Sequence, residues 1–145
     1  MPPYNYCTNI PKYPYNAAHK FIKQVSKSGV DVFSILDSLK YIENLSIGVD
    51  AISRIGGFVE GTLSYRGGVS DPNKDKYDLE YYINLTRDIA DMGVQYIFVS
   101  DMANLLNTRA TAILVLVFKE ELPGMHPHIH NHDITGKGSL PSSRP

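Results

Sequence analysis

Apolar positions along this chain follow two alternating rhythms. The first is a 3-4-3 spacing, which gathers side chains on one face of a helix. Ala18, Phe21, Ile22 and Val25 predict a helix over 17–28, and Ile42, Leu45, Val49 and Ile52 predict a second that reaches Gly56-Gly57. Tyr82, Leu85, Ile89 and Met92 predict a third, and a fourth spans 108–122. The second rhythm is a short run of β-branched and apolar residues. Strands are predicted at VDVFSIL (30–36), FVEGTLSY (58–65), VQYIFV (94–99) and the histidine-bearing stretch after Pro123-Gly124. Each helix stops at a glycine, the residue that turns left-handed past a helix end at least cost.

Strand starts near 30, 58, 94 and 126 repeat about every thirty residues, the length of a βα unit. Parallel strands with helical crossovers follow, either as a (β/α)8 barrel or as an open doubly wound sheet. The polar clusters favour the barrel. Asp37-Ser38, Tyr65-Arg66, Ser100-Asp101 and His130-His132-Asp133 all sit just past the C-terminal ends of strands, the ends that build a barrel's active-site mouth. No strand is followed by a Gly-x-Gly-x-x-Gly turn, which speaks against a dinucleotide site. A whole barrel takes about 250 residues; with 145, the expectation is an α/β fold, a partial TIM barrel of four to five βα units.

The first sixteen residues carry four Tyr and four Pro and read as an irregular lead-in (1–16). The partial barrel domain is placed at 17–133, and the Gly-, Ser- and Pro-rich stretch at 134–145 reads as a loose tail. The start shows neither a signal peptide's apolar core nor an Arg-rich amphipathic leader. A net charge of −1 gives no electrostatic reason to expect nucleic acid as a partner, and no apolar run suits a membrane span. Cys7 is the single cysteine, so an intrachain disulfide is excluded and a reducing compartment is expected.

Candidate chemistry centres on Pro127-His128-Ile129-His130-Asn131-His132-Asp133. On a strand, side chains alternate faces, so His128, His130 and His132 point one way, joined by His126 if the strand starts early. Neutral imidazoles beside a carboxylate suit a divalent metal; the alternative is a solvated His-rich strand end. Asp37 either sits at the strand mouth as a catalytic candidate or caps the next helix. Tyr65 either lines a pocket or packs with its hydroxyl in water. Tyr77, Tyr81 and Tyr82 read as packing, and Arg87, Asp88 and Asp91 as a solvated helix face.

From about Tyr13 to Gly138 the chain resembles the carboxyltransferase domain of pyruvate carboxylase, within the metal-dependent barrel family that includes hydroxymethylglutaryl-CoA lyase. The stretches that carry the resemblance are VDVFSILDSLKYIENL (30–45), GGFVEGTLSYRGGVSDPNKDKYDLEYYINL (56–85), SDMANLL (100–106) and HIHNHDITGKG (128–138). The resemblance implies pyruvate as substrate, oxaloacetate as product and biotin as carboxyl carrier, borne on another domain. It implies a divalent metal, Zn or Mn, held by two His, an Asp and a carboxylated Lys. The two His fall on His130 and His132. Ser100 stands where the resemblance puts the Lys, and a hydroxyl cannot form a carbamate. The first-strand Asp, the substrate Arg (which would fall near Pro3 to Tyr6) and the catalytic Thr have no counterpart. The chain is therefore expected to be a truncated copy with impaired catalysis, or a non-catalytic protein that binds metal or associates with itself or a full-length homologue. The resemblance implies the mitochondrial matrix, with the cytoplasm as the alternative.

Overall fold

The computed structural model describes residues 5–8, 14–36, 42–71, 73, 76–134 and 136, the first group by backbone alone. Its elements run β1 (Asn5–Thr8), α1 (Tyr15–Lys27), β2 (Val32–Ile35), α2 (Ile42–Ser53) and β3 (Phe58–Ser64). They continue with α3 (Leu79–Asp91), β4 (Tyr96–Asp101), α4 (Thr108–Glu121) and β5 (His126–Asn131). The strands hydrogen-bond in sequence order, β1-β2-β3-β4-β5. β1 pairs with β2 and β2 with β3 in parallel, setting Tyr6 beside Phe33 and Phe33 beside Val59. Parallel neighbours need a crossover, and a helix lies between each successive pair of strands. The α/β alternation expected from the sequence is present.

Two departures stand out. The lead-in is not wholly irregular: β1 occupies Asn5–Thr8, a strand with no apolar alternation of its own that pairs along its whole length with β2. On α1, Ile22 and Ala18 are buried as expected, but Phe21 from the same predicted face is 42% exposed. Asp37 lies outside the described residues, as does most of the tail.

The chain forms two compact units, Met1–Thr62 with Asp88–Tyr96, and Leu63–Arg87 with Ile97–Pro145. In the first, Ile22, Phe33, Ile35, Ile52, Val59 and Ile89 are almost completely buried. Each such side chain contributes about 1.5–3 kcal/mol by leaving water. Gly61 on β3 lets α3 come close: a Cβ there would collide with Ile89 Cγ2 and lie 3.3 Å from Val94 Cγ1. α1 is tied to α2 by the Tyr15 hydroxyl, which donates to Asp50 Oδ2 at 2.5 Å. Arg54 Nε reaches the same carboxylate at 2.9 and 3.0 Å. These bonds, the Tyr15 one first, hold the Asp50 carboxyl below the usual carboxylate range.

In the second unit the core is Leu63, Tyr82, Ile97, Val99, Leu114 and Phe118. α4 starts at Asn107, whose side-chain oxygen accepts the Ala110 N–H at 2.8 Å and so satisfies a first-turn donor. Arg87 pairs with Glu121 across α3 and α4. Both side chains are partly exposed, so this pair contributes little. It does give Arg87 a partner that the solvated-face reading lacks.

Candidate functional site

Strand β5 alternates as its sequence demands. His126, His128 and His130 are exposed, while Pro127, Ile129 and Asn131 between them are half-buried. The neighbouring Phe98, on β4 and buried, is the platform for this row. Its ring centroid lies 5.0 Å from that of His128, edge to face, and 5.6 Å from that of His130, stacked. His132 follows the strand, and its ring stands 5.4 Å from His130 at 85°. The two imidazoles are thus neighbours. Just beyond, the Asp133 N–H donates to Asn131 Oδ1 at 3.1 Å, and Asp133 takes a left-handed φ of 46°. Among the described residues, no group of three or more His, Cys, Asp and Glu forms a set able to hold a metal.

β4 ends in Ser100 and Asp101, both buried. The Ser100 carbonyl accepts the Tyr65 N–H at 2.9 Å, which joins the ends of β3 and β4 within this unit. Asp101 has a structural task. Its Oδ1 accepts the Leu105 N–H at 2.9 Å and its Oδ2 the Leu106 N–H at 2.8 Å. A buried carboxylate that takes two backbone donors is well compensated for leaving water. The turn it holds passes through Asn104 at a φ of 56°.

Tyr65 is buried, not water-facing at its ring, and stacks on Tyr82 with centroids 5.4 Å apart. Burial pushes its hydroxyl up, and the Asp101 carboxylate adds to this, against a hydrogen bond from the Val69 backbone. The aromatic series continues outward: Tyr82 to Tyr81 and Tyr81 to Tyr77, each 5.2 Å between centroids.

In the first unit, sequence reasoning passes over a buried polar group. Glu60 on β3 is 4% exposed and accepts a short hydrogen bond from the Ser34 hydroxyl on β2. The parallel register sets these two residues side by side. Thr62, two positions on, has its buried hydroxyl oxygen without a hydrogen-bond partner among the described residues. The available signal was the one charged residue in a strand that is otherwise uncharged, since a buried acid needs a reason.

Comparison with known proteins gives this architecture a lineage. The chain is 44% identical over 125 residues to pyruvate carboxylase from Komagataella pastoris and 38% identical over 126 to pyruvate carboxylase 1 from Caenorhabditis elegans. The matches take in 86% and 87% of this chain. The structure superposes on the carboxyl transferase domain of Rhizobium etli pyruvate carboxylase with a TM-score of 0.89 and 30% identity, over 95% of this chain. The chain is a homologue of part of the pyruvate carboxylase carboxyltransferase domain. Its α/β fold is accordingly a partial barrel of that type. The chain spans about a tenth of the length of these pyruvate carboxylases (10% and 11%) and 24% of the R. etli domain. No family model matches the chain. Among the described residues, no helix is long and apolar enough to cross a membrane.

Proposed function

We propose that this chain is a diminished form of the carboxyltransferase that transfers a carboxyl group from carboxybiotin to pyruvate, with catalysis by the chain alone impaired. The supporting observation is the combination of a close backbone match with an incomplete donor set. The R. etli carboxyl transferase domain has been crystallised with pyruvate and biocytin. That makes pyruvate the substrate to test here and a biotin-bearing domain the partner. His130 and His132 would be the metal residues, with their rings side by side. Two imidazoles fit a Zn or Mn ion only in part, because the resemblance calls for four ligands. Ser100 supplies no carbamate, and both Asp101 oxygens are engaged by backbone amides. Tyr65 and Asp37 are the catalytic candidates, and the neutral phenol of Tyr65 is favoured by burial. Its contribution is to bind or orient.

The test is twofold. Metal content and titration calorimetry with Zn²⁺ and Mn²⁺ measure whether the histidine pair holds an ion. Oxaloacetate formation from pyruvate with a carboxylated biotin carrier measures turnover. Weak binding that is lost in His132→Ala, with turnover far below that of a whole pyruvate carboxylase, is the expected result. Robust oxaloacetate formation that survives both His130→Ala and His132→Ala would overturn the proposal.

A second reading is a non-catalytic protein that binds a metal ion or associates with itself or a full-length homologue. Ser100 in place of a ligand favours it. Co-purification with a pyruvate carboxylase, in the absence of turnover, would decide for it. The rat and human relatives are mitochondrial by name, which supports the matrix as the compartment, with the cytoplasm as the alternative.

A further inference from the structure

The first unit has a groove of about 570 Å³ between α1 and the chain that follows α2. Its walls include His19, Lys20, Lys23, Lys27, Arg54 and Ile55. Lys20, Lys23 and Lys27 stand at i, i+3 and i+7, so they share one face of α1 and spread over about 10 Å of helix. Lysines on one exposed helix face are ordinarily only solvated. Here a fourth cation, Arg54, comes from beyond the end of α2 and lines the same groove.

Arg54 is held in place, because its Nε is bonded to Asp50, yet its side chain stays 66% exposed. A guanidinium anchored through Nε keeps its terminal N–H groups for another acceptor. At the same end, His19 Nε2 is buried without a hydrogen bond and lies 3.6 Å from Asp50 Oδ2. Asp50 itself is shared by Tyr15 and Arg54 and does not line the groove. Four cationic side chains therefore line the groove and no carboxylate does, on a chain whose net charge is only −1. The volume falls in the range of small-molecule sites, about 300–1,000 Å³.

We infer that this groove binds a small molecule carrying a di- or triphosphate group, with Arg54 and Lys23 as its principal contacts and Lys20 and Lys27 extending the site. Phosphate suits the donors: a preset guanidinium fork and several ammonium point charges, spaced to engage more than one phosphate. Ile55 and the lysine stems offer an apolar surface beside the charges, which a base or other ring can cover.

Titration of the full chain with inorganic pyrophosphate and with ADP, by calorimetry at low salt, tests this. Expected is saturable binding that weakens as salt rises and falls at least about fivefold in Lys23→Gln and in Arg54→Gln. Lys119→Gln, at the far end of α4, should leave it unchanged. Lys23→Gln keeps the test sound if Arg54→Gln loosens α1 from α2. Equal affinity for the two probes assigns the polyphosphate alone, and tighter ADP assigns a nucleotide. Absence of saturable binding, an equal loss in Lys119→Gln, or a Glu-rich peptide that outcompetes both probes would overturn the inference.

Discussion

The Tyr82 hydroxyl donates to the Gly67 carbonyl at 2.9 Å and accepts the Arg66 N–H, also at 2.9 Å. One phenol on α3 thereby satisfies both a donor and an acceptor in the turn that leaves β3. Tyr82→Phe keeps the ring and its stacking but removes both bonds. The expected cost is about 1–3 kcal/mol, read as a lower midpoint in urea unfolding with an unchanged slope. An unshifted midpoint would mean that water replaces the hydroxyl.

The same residue makes the fold sensitive to alkali. Burial, opposed by the Arg66 backbone bond and aided by neighbouring tyrosines, raises the Tyr82 hydroxyl from 10.0 to about 12. The folded chain thus holds this proton where the unfolded chain has begun to lose it. Its contribution is fully present below pH 10 and is lost as pH rises through about 12. Tyr65 and Tyr81 are shifted in the same direction, so Tyr82→Phe should flatten the loss of stability in this window without abolishing it. Unfolding curves recorded from pH 9 upward for both proteins check this. Identical slopes would contradict it.

Gly61 is a packing requirement. A methyl group there would run into Ile89 Cγ2, and Gly61→Ala should cost about 1–3 kcal/mol. In an Ile89→Ala background, where that atom is gone, the same substitution should cost less by about 1 kcal/mol or more. A double-mutant cycle in denaturant measures the coupling, and simple additivity would show that strand and helix separate freely.

Asp101→Ala should cost about 3 kcal/mol, because it leaves the buried Leu106 amide and its Leu105 neighbour without an acceptor. Ser100→Ala retains the carbonyl that takes the Tyr65 N–H and should cost less than about 1 kcal/mol. Equal costs at the two positions would contradict the division of labour drawn above. Hydrogen exchange at the Leu105 and Leu106 amides gives a second, local readout.

The alternation of β5 was legible because a period of two survives in the residue types themselves, His against Pro, Ile and Asn. The helix ends were legible for a similar reason: Gly29 and Gly93 follow α1 and α3 with φ of 96° and 84°, a conformation that selects glycine. β1 was not, since Asn5–Thr8 carries no pattern and its strand character comes from the β2 edge beside it. Phe21 shares the apolar period of α1 yet stays 42% exposed, because periodicity names a face and not what covers it. The Ser34–Glu60 pair depends on strand register, and the Asp101 turn on backbone amides four and five residues away. Neither leaves a trace in residue spacing.

The turn after β4 is held by the side chain of residue 101, while residue 100 ties β4 to the end of β3 through its carbonyl. The loop is thus set by residue 101, and these bonds make no use of the side chain at residue 100. A lineage can exchange the side chain at position 100 while the loop beyond it keeps its shape. Ser100→Lys would then add an amine at the strand end without disturbing the bonds that set the loop.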